Sequence, residues 1–117
     1  MQINKSGLWG ELYAARYLRD ESYRIVTGNY RRRVGEIDIV AQKGNVVCFV
    51  EVKTRGANHI YAPIEAVDEA KQSKIRATAG LFMKSFGGEN EIRFDVIEII
   101  LDENFNKLQL NHTENAF

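Results

Sequence analysis

The sequence contains one cysteine and one proline, has no long apolar run, and carries no net charge. The single Cys48 excludes a disulfide framework within one chain. No apolar stretch approaches the roughly 20 residues of a membrane helix, and charges interrupt the N-terminus where a signal peptide would be apolar. We therefore expect a cytoplasmic protein with no membrane partner.

The formal net charge of zero at pH 7 argues against a protein that coats nucleic acid non-specifically. The charges are uneven, because residues 1–56 carry a net charge of +4 and residues 85–117 a net charge of −5. This asymmetry is compatible with a nucleic-acid face and equally with an ordinary mixed surface. The chain has 117 residues, 44% of them hydrophobic, and no Pro- or Ser-rich linker, so we predict one domain over residues 1–117.

Two β-branched runs separated by a Gly-Asn step predict a β-hairpin in the middle of the chain. If Gly44 and Asn45 form a two-residue loop, Lys43 faces Val46, and the register of every further pair follows. A three-residue loop would shift this register by one residue and break the pairing described next. The second run is apolar on both faces, which is typical of a central strand covered on both sides.

The same register gathers charged side chains on one face of the hairpin. Asp38 faces Glu51 and Glu36 faces Lys53, and residues two apart on a strand share a face. Opposed carboxylates repel each other and need protons, cationic partners or a metal. Magnesium suits such oxygen ligands, because it takes one or two carboxylates and keeps several waters. The alternative is a pair of salt bridges at a solvated strand end.

The flanking segments predict two helices and further strands. Residues 6–20 form a helix with an apolar stripe, residues 23–33 are extended, and residues 65–86 form a long helix. A strand at residues 92–100 then lies parallel to the second hairpin strand, with a weaker strand at residues 105–111. The fold class is α/β (α+β), a mixed central sheet flanked by helices. The predicted stripe of the first helix consists of Leu8, Leu12, Ala15 and Leu18, with Trp9 beside it.

Basic side chains near the hairpin are candidates for phosphate contacts. Arg31 and Arg33 share one face of the extended segment, and Tyr30 could stack on a base or sugar. Lys71 follows the apolar stripe of the long helix and could present its ammonium group at the end of the sheet, with Gln72 beside it. The alternative is a solvated edge whose charges prevent aggregation.

Three residues near the hairpin have open roles on the sequence alone. Glu11 lies on the flank of the first helix's stripe, either as a third carboxylate near Asp38 and Glu51 or as a solvated residue near a helix N-terminus. His59 could be a general base, bind phosphate, or do neither, because position alone fixes no geometry. The role of Glu36 is equally open.

Asp38, followed by Glu51-Val52-Lys53, resembles the D…(D/E)-x-K signature of restriction-endonuclease-like nucleases. Further motifs occur in order over nearly the whole chain, and together they resemble the YraN-like family of bacterial proteins, which is similar to archaeal Holliday-junction resolvases. These pieces are Gly7-x-x-x-Glu11, Gly35-Glu36-Ile37-Asp38, Phe49-Val50-Glu51-Val52-Lys53-x-Arg55, Lys71-Gln72 and Arg93-Phe94-Asp95-Val96-Ile97.

The resemblance implies a restriction-endonuclease-like fold and hydrolysis of phosphodiester bonds with magnesium, or with manganese in its place. The implied metal ligands are Asp38, Glu51 and the Val52 carbonyl, and Glu11 and Lys53 join the two carboxylates in the catalytic set. Lys53 would stabilise charge on the phosphate. The expected contacts to nucleic acid are Arg31, Arg33, Arg55, Lys71 and Gln72.

The expected partner is nucleic acid, and DNA in particular, with junction or flapped forms among the substrates. Enzymes that cut two strands are often symmetric pairs, so the resemblance also allows a homodimer. Two alternatives stay open, because a fold does not determine an activity. One is a nucleic-acid-binding protein that keeps the fold without catalysis, and the other is a structural protein in which Asp38, Glu51 and Lys53 form an ion-pair cluster.

Overall fold

A computed structural model describes residues 5–59 and 67–117 of the chain. These residues contain two α-helices and one five-stranded sheet, which is the mixed α+β fold expected. The strands lie in chain order, and only β3 and β4 are parallel neighbours. The elements are α1 (Lys5–Asp20), β1 (Arg24–Arg32), β2 (Gly35–Lys43), β3 (Val46–Gly56), a 3₁₀ turn (Ala57–His59), α2 (Glu69–Phe86), β4 (Glu91–Leu101) and β5 (Lys107–Thr113).

The β2–β3 hairpin has the predicted two-residue loop. Lys43 pairs with Val46, and the ladder continues in this register to Ile39 and Val50. Gly44 has a φ of 59°, a left-handed conformation that glycine adopts without steric cost. The parallel pairing of β3 with β4 is also confirmed, and α2 lies in the connection between these strands.

The two helices cover opposite faces of the sheet, so β3 is buried on both sides. Cys48 and Val50 pack with α1 in one cluster of buried side chains, whereas Val47 and Phe49 pack with α2 in the other. This alternation is the physical reason why β3 has an apolar residue at nearly every position. None of the described helices is long and apolar enough to cross a membrane.

The buried face of α1 differs from the predicted stripe. Leu8 and Leu12 are about half exposed, at 51% and 54%, whereas Gly10, Ala14 and Leu18 are buried. Only Leu18 of the predicted stripe is therefore fully buried. The reason is a close approach of helix and sheet, since a Cβ atom on Gly10 would lie 2.1 Å from Thr54 Oγ1 on β3. Gly10 and Ala14 face the sheet together with Leu18, and Leu8 and Leu12 are turned outward.

We expect Gly10→Ala to lower the free energy of unfolding by about 1–3 kcal/mol, because the new methyl group overlaps Thr54. The matched control is Gly80→Ala in α2, where an added Cβ atom meets nothing within 4 Å. That variant should gain up to about 1 kcal/mol from helix propensity alone. Urea unfolding measures both, and equal stabilisation by the two changes would contradict the packing of α1 on Thr54.

The starts of α2 and of the last strand differ from the sequence prediction. α2 begins at Glu69 because Asp68 caps it, its carboxylate accepting a hydrogen bond from the Lys71 amide at 2.8 Å. Residues 65 and 66 of the predicted helix lie outside the described residues. The last strand begins at Lys107, because Asp102 accepts hydrogen bonds from the amides of Asn104 and Asn106 and holds a turn there.

Asp95 ties β5 and the following residues to β4. Its carboxylate is fully buried and accepts two hydrogen bonds from the Arg93 guanidinium, both 2.9 Å long. His112 Nε2 lies 2.8 Å from the same carboxylate, and the Asn115 amide donates to it at 3.0 Å. Burial alone would raise the pKa of Asp95, but these hydrogen bonds hold it below its ordinary value. The role of this residue is structural.

Candidate functional site

Asp38 and Glu51 meet where β2 and β3 separate. The recorded pairing of the two strands ends at Ile39 and Val50, one position before these carboxylates. Beyond that point the Val52 amide donates a hydrogen bond to Asp38 Oδ2 at 2.8 Å. The Asp38 side chain therefore takes the acceptor role that a backbone carbonyl has in a regular ladder.

The regular alternation of β2 breaks at the same position. Ile39 packs in the cluster under α1, but Ile37, two residues away, packs in the cluster under α2. The predicted pairing of Glu36 with Lys53 is wrong, because the hairpin ladder does not extend that far. Glu36 instead lies opposite Arg31 on β1, and Arg31 Nη2 donates to Glu36 Oε1 at 3.1 Å.

The electrostatic environment of Asp38 favours its protonated form. Burial raises the pKa of Asp38 to about 7, and the neighbouring carboxylates of Glu51, Glu11 and Glu36 add to the shift. The hydrogen bond from Val52 acts in the opposite direction. A negative charge on Asp38 is therefore costly in this position, and a bound cation would offset the cost.

Glu51 has a cationic partner on α2. Lys71 Nζ donates to Glu51 Oε1 at 2.5 Å, and the Glu51 side chain is only 10% exposed, against 50% for Lys71. The hydrogen bond with Glu51 raises the pKa of Lys71, so this ammonium group stays charged. The pair joins the first turn of α2 to the middle of β3.

Two cavities adjoin this ion pair, and both are lined by Glu51 and Lys71. The carboxylate cavity, of about 140 Å³, is lined further by Glu36, Asp38 and Lys74. The cationic cavity, of about 250 Å³, is lined further by Lys53, Arg55 and Glu98. A larger cavity of about 590 Å³ lies elsewhere, between the start of α1 and the turn before β5, and contains none of the candidate residues.

Lys53 lies two residues beyond Glu51 on the same strand, half-buried, at the wall of the cationic cavity. Its neighbour in the parallel register is Glu98 on β4. Glu98 is 2% exposed and accepts a hydrogen bond from Arg55 Nη2 at 3.1 Å. The Arg55 side chain is itself only 17% exposed, so its guanidinium is held inside the cavity wall and not on an open surface.

Glu11 approaches the carboxylates from α1, which covers the other face of the sheet. Burial raises its pKa, a hydrogen bond with Asn29 lowers it, and the charges of Glu36 and Glu51 raise it further. Glu11 is thus within electrostatic reach of the pair, although it is not part of the lining of the carboxylate cavity.

The remaining expected nucleic-acid contacts differ in accessibility. Arg31 is exposed on β1 and paired with Glu36, and Arg33 is exposed in the turn after β1. Gln72 is engaged in the start of α2, where its side chain donates to the Val67 carbonyl at 2.7 Å. Tyr30 is covered by Arg32, whose guanidinium lies 4.1 Å from the ring centre, and packs edge-on against Phe82. The side chain of His59 lies outside the described part of the structure.

The model of an uncharacterised protein family, UPF0102, matches residues 10–99. A UPF0102 protein of Alkaliphilus oremlandii is 46% identical over 116 residues, which cover 97% of each chain. A UPF0102 protein of Syntrophomonas wolfei is 42% identical over 112 residues, covering 95% of this chain and 96% of the relative. A third, from Chlorobium chlorochromatii, is 39% identical over 115 residues, covering 95% of this chain and 89% of that protein.

The chain belongs to the UPF0102 family. This is the YraN-like family that the motifs resemble, so the resemblance is confirmed. The match spans the carboxylate pair, Lys53 and Lys71, and the five-stranded sheet with two helices is compatible with a nuclease-like fold. The family's description states no activity.

The donor set of this UPF0102 chain fits a magnesium ion held partly by water. Across residues 5–59 and 67–117, no group of three or more His, Cys, Asp or Glu side chains is placed to hold a metal. Asp38 and Glu51 supply two carboxylates, and magnesium commonly takes one or two and keeps its waters. Burial and the charge of Glu51 raise the pKa of Asp38, so a cation bound here would offset an unfavourable negative charge. Val52 contacts Asp38 through its amide, and the expected role of its carbonyl stays a prediction.

Two ion pairs in this UPF0102 chain are absent from the sequence prediction. Glu98 is not among the predicted site residues, and Lys71 is predicted to contact phosphate and not Glu51. A signal for Glu98 is present, because Asp95 and Glu98 are the two charged residues in the apolar stretch from Phe94 to Leu101. A carboxylate in such a strand requires a partner, and Arg55 is that partner.

Proposed function

We propose that this protein is a metal-dependent nuclease that hydrolyses phosphodiester bonds of DNA. The observation that supports the proposal most is the juxtaposition of Asp38 and Glu51 at the open end of the β2–β3 hairpin, with Lys53 two residues beyond Glu51. Two carboxylates beside an ammonium group suit metal-assisted hydrolysis of a phosphodiester, in which a cation is held close to the phosphate.

In the proposed mechanism, Asp38 and Glu51 would hold the metal through their carboxylate oxygens, because magnesium commonly takes one or two carboxylates. When bound, magnesium supplies polarisation of the phosphate and a water of lowered pKa. Asp38 would hold the metal in its ionised form, and its hydrogen bond from the Val52 amide orients the carboxylate. Glu11 adds negative charge from α1, which strengthens the attraction for a divalent cation.

Lys53 supplies positive charge where negative charge develops. Its position on β3, at the wall of the cationic cavity, puts its ammonium group on the same side of the strand as Glu51. As water attacks the phosphate, charge accumulates on the phosphate oxygens, and a preorganised cation stabilises the transition state more than the ground state. Arg55 lines the same cavity, where Glu98 pairs with its guanidinium and offsets its charge.

The proposed substrate class is DNA, with junction or flapped forms suggested by the resemblance to resolvases. The exposed Arg31 and Arg33 near the carboxylate cavity are the proposed backbone contacts. We further propose a homodimer acting on two strands and a location in the bacterial cytoplasm, where such DNA occurs.

A second candidate is a nucleic-acid-binding protein without catalysis. It is favoured by one observation, the ion pair between Lys71 and Glu51, because a carboxylate already neutralised has less need of a metal. The two candidates differ in whether the protein cleaves DNA when a divalent cation is present.

The test is gel-based cleavage of duplex, single-stranded, flapped and four-way DNA by the wild type, in magnesium, in manganese and in EDTA. We expect at least one substrate to be cut with metal and none in EDTA. Asp38→Asn, purified in parallel, detects contaminating nuclease. Cleavage undiminished in that variant would assign the activity to another protein or site, and no cleavage of any substrate would favour the binding protein.

A further inference from the structure

The Lys71–Glu51 ion pair divides the carboxylate cavity from the cationic cavity. Both cavities are lined by these two residues, so the pair forms the wall between them. On one side lies Asp38, and on the other lie Lys53 and Arg55. The chemistry of the two sides is opposite, since carboxylates attract a cation and basic side chains attract an anion.

The backbone of Lys71 is fixed, whereas its side chain is free to change rotamer. The Asp68 carboxylate accepts a hydrogen bond from the Lys71 amide, and the next residue, Gln72, donates to the Val67 carbonyl, so the backbone of this turn is anchored. The side chain is half exposed and has a flexible four-carbon stem. Its ammonium group is therefore able to leave Glu51 without disturbing α2.

Glu51 is the carboxylate that both cations would use, and Lys71 already holds its Oε1. The ammonium group of Lys71 lies 2.5 Å from this oxygen, so a second cation cannot approach it from the same side. A divalent ion between Asp38 and Glu51 would also repel the ammonium group, because like charges in a partly buried site are weakly screened. We therefore expect occupation by the metal and by Lys71 to be competitive.

We propose that Lys71 is an internal cation that holds Glu51 in the metal-free protein, and that a divalent cation displaces its ammonium group into the cationic cavity. There it joins Lys53 at the phosphate. This inference rests on the proposed function in that Asp38 and Glu51 bind the metal. It assigns Lys71 two successive partners, a carboxylate before metal binding and a phosphate after it.

Calorimetric titration with Mn²⁺ tests the proposal on the wild type, Lys71→Met and Lys74→Met. Lys74 is the matched control, because it lines the carboxylate cavity and carries the same charge, but the described residues contain no ion pair between Lys74 and Glu51. We expect Lys71→Met to bind Mn²⁺ about tenfold more tightly than the wild type, the scale of one charged hydrogen bond. Lys74→Met should stay within about twofold of the wild type.

The outcomes separate this inference from the proposed function. Saturable binding by the wild type with unchanged or weaker binding by Lys71→Met overturns the inference and leaves the nuclease proposal standing. Binding by Lys71→Met alone supports the inference in its strongest form. If none of the three proteins binds Mn²⁺, both proposals are overturned.

Lys71→Met leaves Glu51 beside Asp38 without a cation, so its folding is checked by circular dichroism. Lys71→Gln, which keeps a hydrogen-bond donor for Glu51, is the second variant and is judged by the same criteria. If both variants are unfolded without metal, recovery of the fold on adding Mn²⁺ supports the proposal, and failure to recover overturns it.

Discussion

Lys53→Ala is expected to lower the rate of metal-dependent DNA cleavage by about 10²–10³-fold, the scale for losing one preorganised donor at developing charge. Binding of Mn²⁺ and of DNA should change little. The carboxylates that would hold the metal are untouched, and the exposed Arg31 and Arg33 supply phosphate contacts elsewhere. Interactions made only in the transition state lower turnover without weakening binding. Single-turnover cleavage and a salt titration of DNA affinity measure the two effects separately.

Lys84→Ala is the matched control for Lys53→Ala, because it removes the same charge from an exposed position in the last turn of α2. Its cleavage rate should equal that of the wild type. If the protein only binds nucleic acid, Lys53→Ala will weaken binding and reduce the salt slope of the affinity by about one. An undiminished cleavage rate in Lys53→Ala would remove this residue from the mechanism.

The second large effect concerns stability without metal. Burial and the charge of Glu51 raise the pKa of Asp38 to about 7, above its ordinary value of 3.8. Between about pH 4 and pH 7 the folded protein therefore holds a proton that the unfolded chain releases, and the wild type loses stability as the pH rises through this range. The asparagine side chain in Asp38→Asn has no such proton to lose, and its carbonyl can still accept the hydrogen bond from Val52.

We therefore expect Asp38→Asn to be more stable than the wild type at pH 8 in EDTA, by about 2–4 kcal/mol, and the difference to vanish near pH 4. Magnesium should raise the melting temperature of the wild type more at pH 8 than at pH 5, and this response should be small in Asp38→Asn. Urea unfolding and thermal melts at the two pH values measure these quantities. Equal metal responses in both proteins would mean that the cation binds elsewhere.

The hairpin could be read from the sequence because its determinants are local. Gly44 at a positive φ fixes a two-residue loop, and the loop fixes the register as far as Ile39 and Val50. The predicted pairing of Glu36 was wrong because β2 and β3 separate at Asp38. There the Asp38 carboxylate, and not a backbone carbonyl, accepts the hydrogen bond from the Val52 amide. Repulsion between opposed carboxylates, noted from the sequence, is the physical cause that we assign to this separation.

The orientation of α1 could not be read from apolar periodicity. Leucine spacing selects the face with the most apolar area, but α1 approaches the sheet so closely at Gly10 that a Cβ atom there would overlap Thr54. Gly10 packs against Thr54. Predicting this contact would require knowing which strand residue lies beneath the helix. Leu8 and Leu12 are consequently left at the surface.

The partners in the ion pairs of the candidate site also could not be predicted from the sequence. Lys71 and Glu51 are twenty residues apart, and Arg55 and Glu98 are forty-three apart. The Lys71–Glu51 pair depends on the packing of α2 against the sheet. The Arg55–Glu98 pair depends on the parallel register of β3 with β4, which also brings Glu98 beside Lys53. The sequence indicated which charges were present near the hairpin, and the tertiary fold decides which of them neutralise one another.

The position of Cys48 makes the labelling of its thiol a measure of unfolding. This thiol is fully buried at the centre of the sheet, paired with Ala41 on β2 and with Arg93 on β4, and burial raises its pKa to about 11. Both properties suppress alkylation in the folded state, since the reactive species is an accessible thiolate. Labelling therefore requires β3 to part from its neighbours, and the labelling rate in dilute reagent follows the population of opened molecules. Because the chain has one cysteine, mass spectrometry of the labelled fraction over time follows opening at this single site.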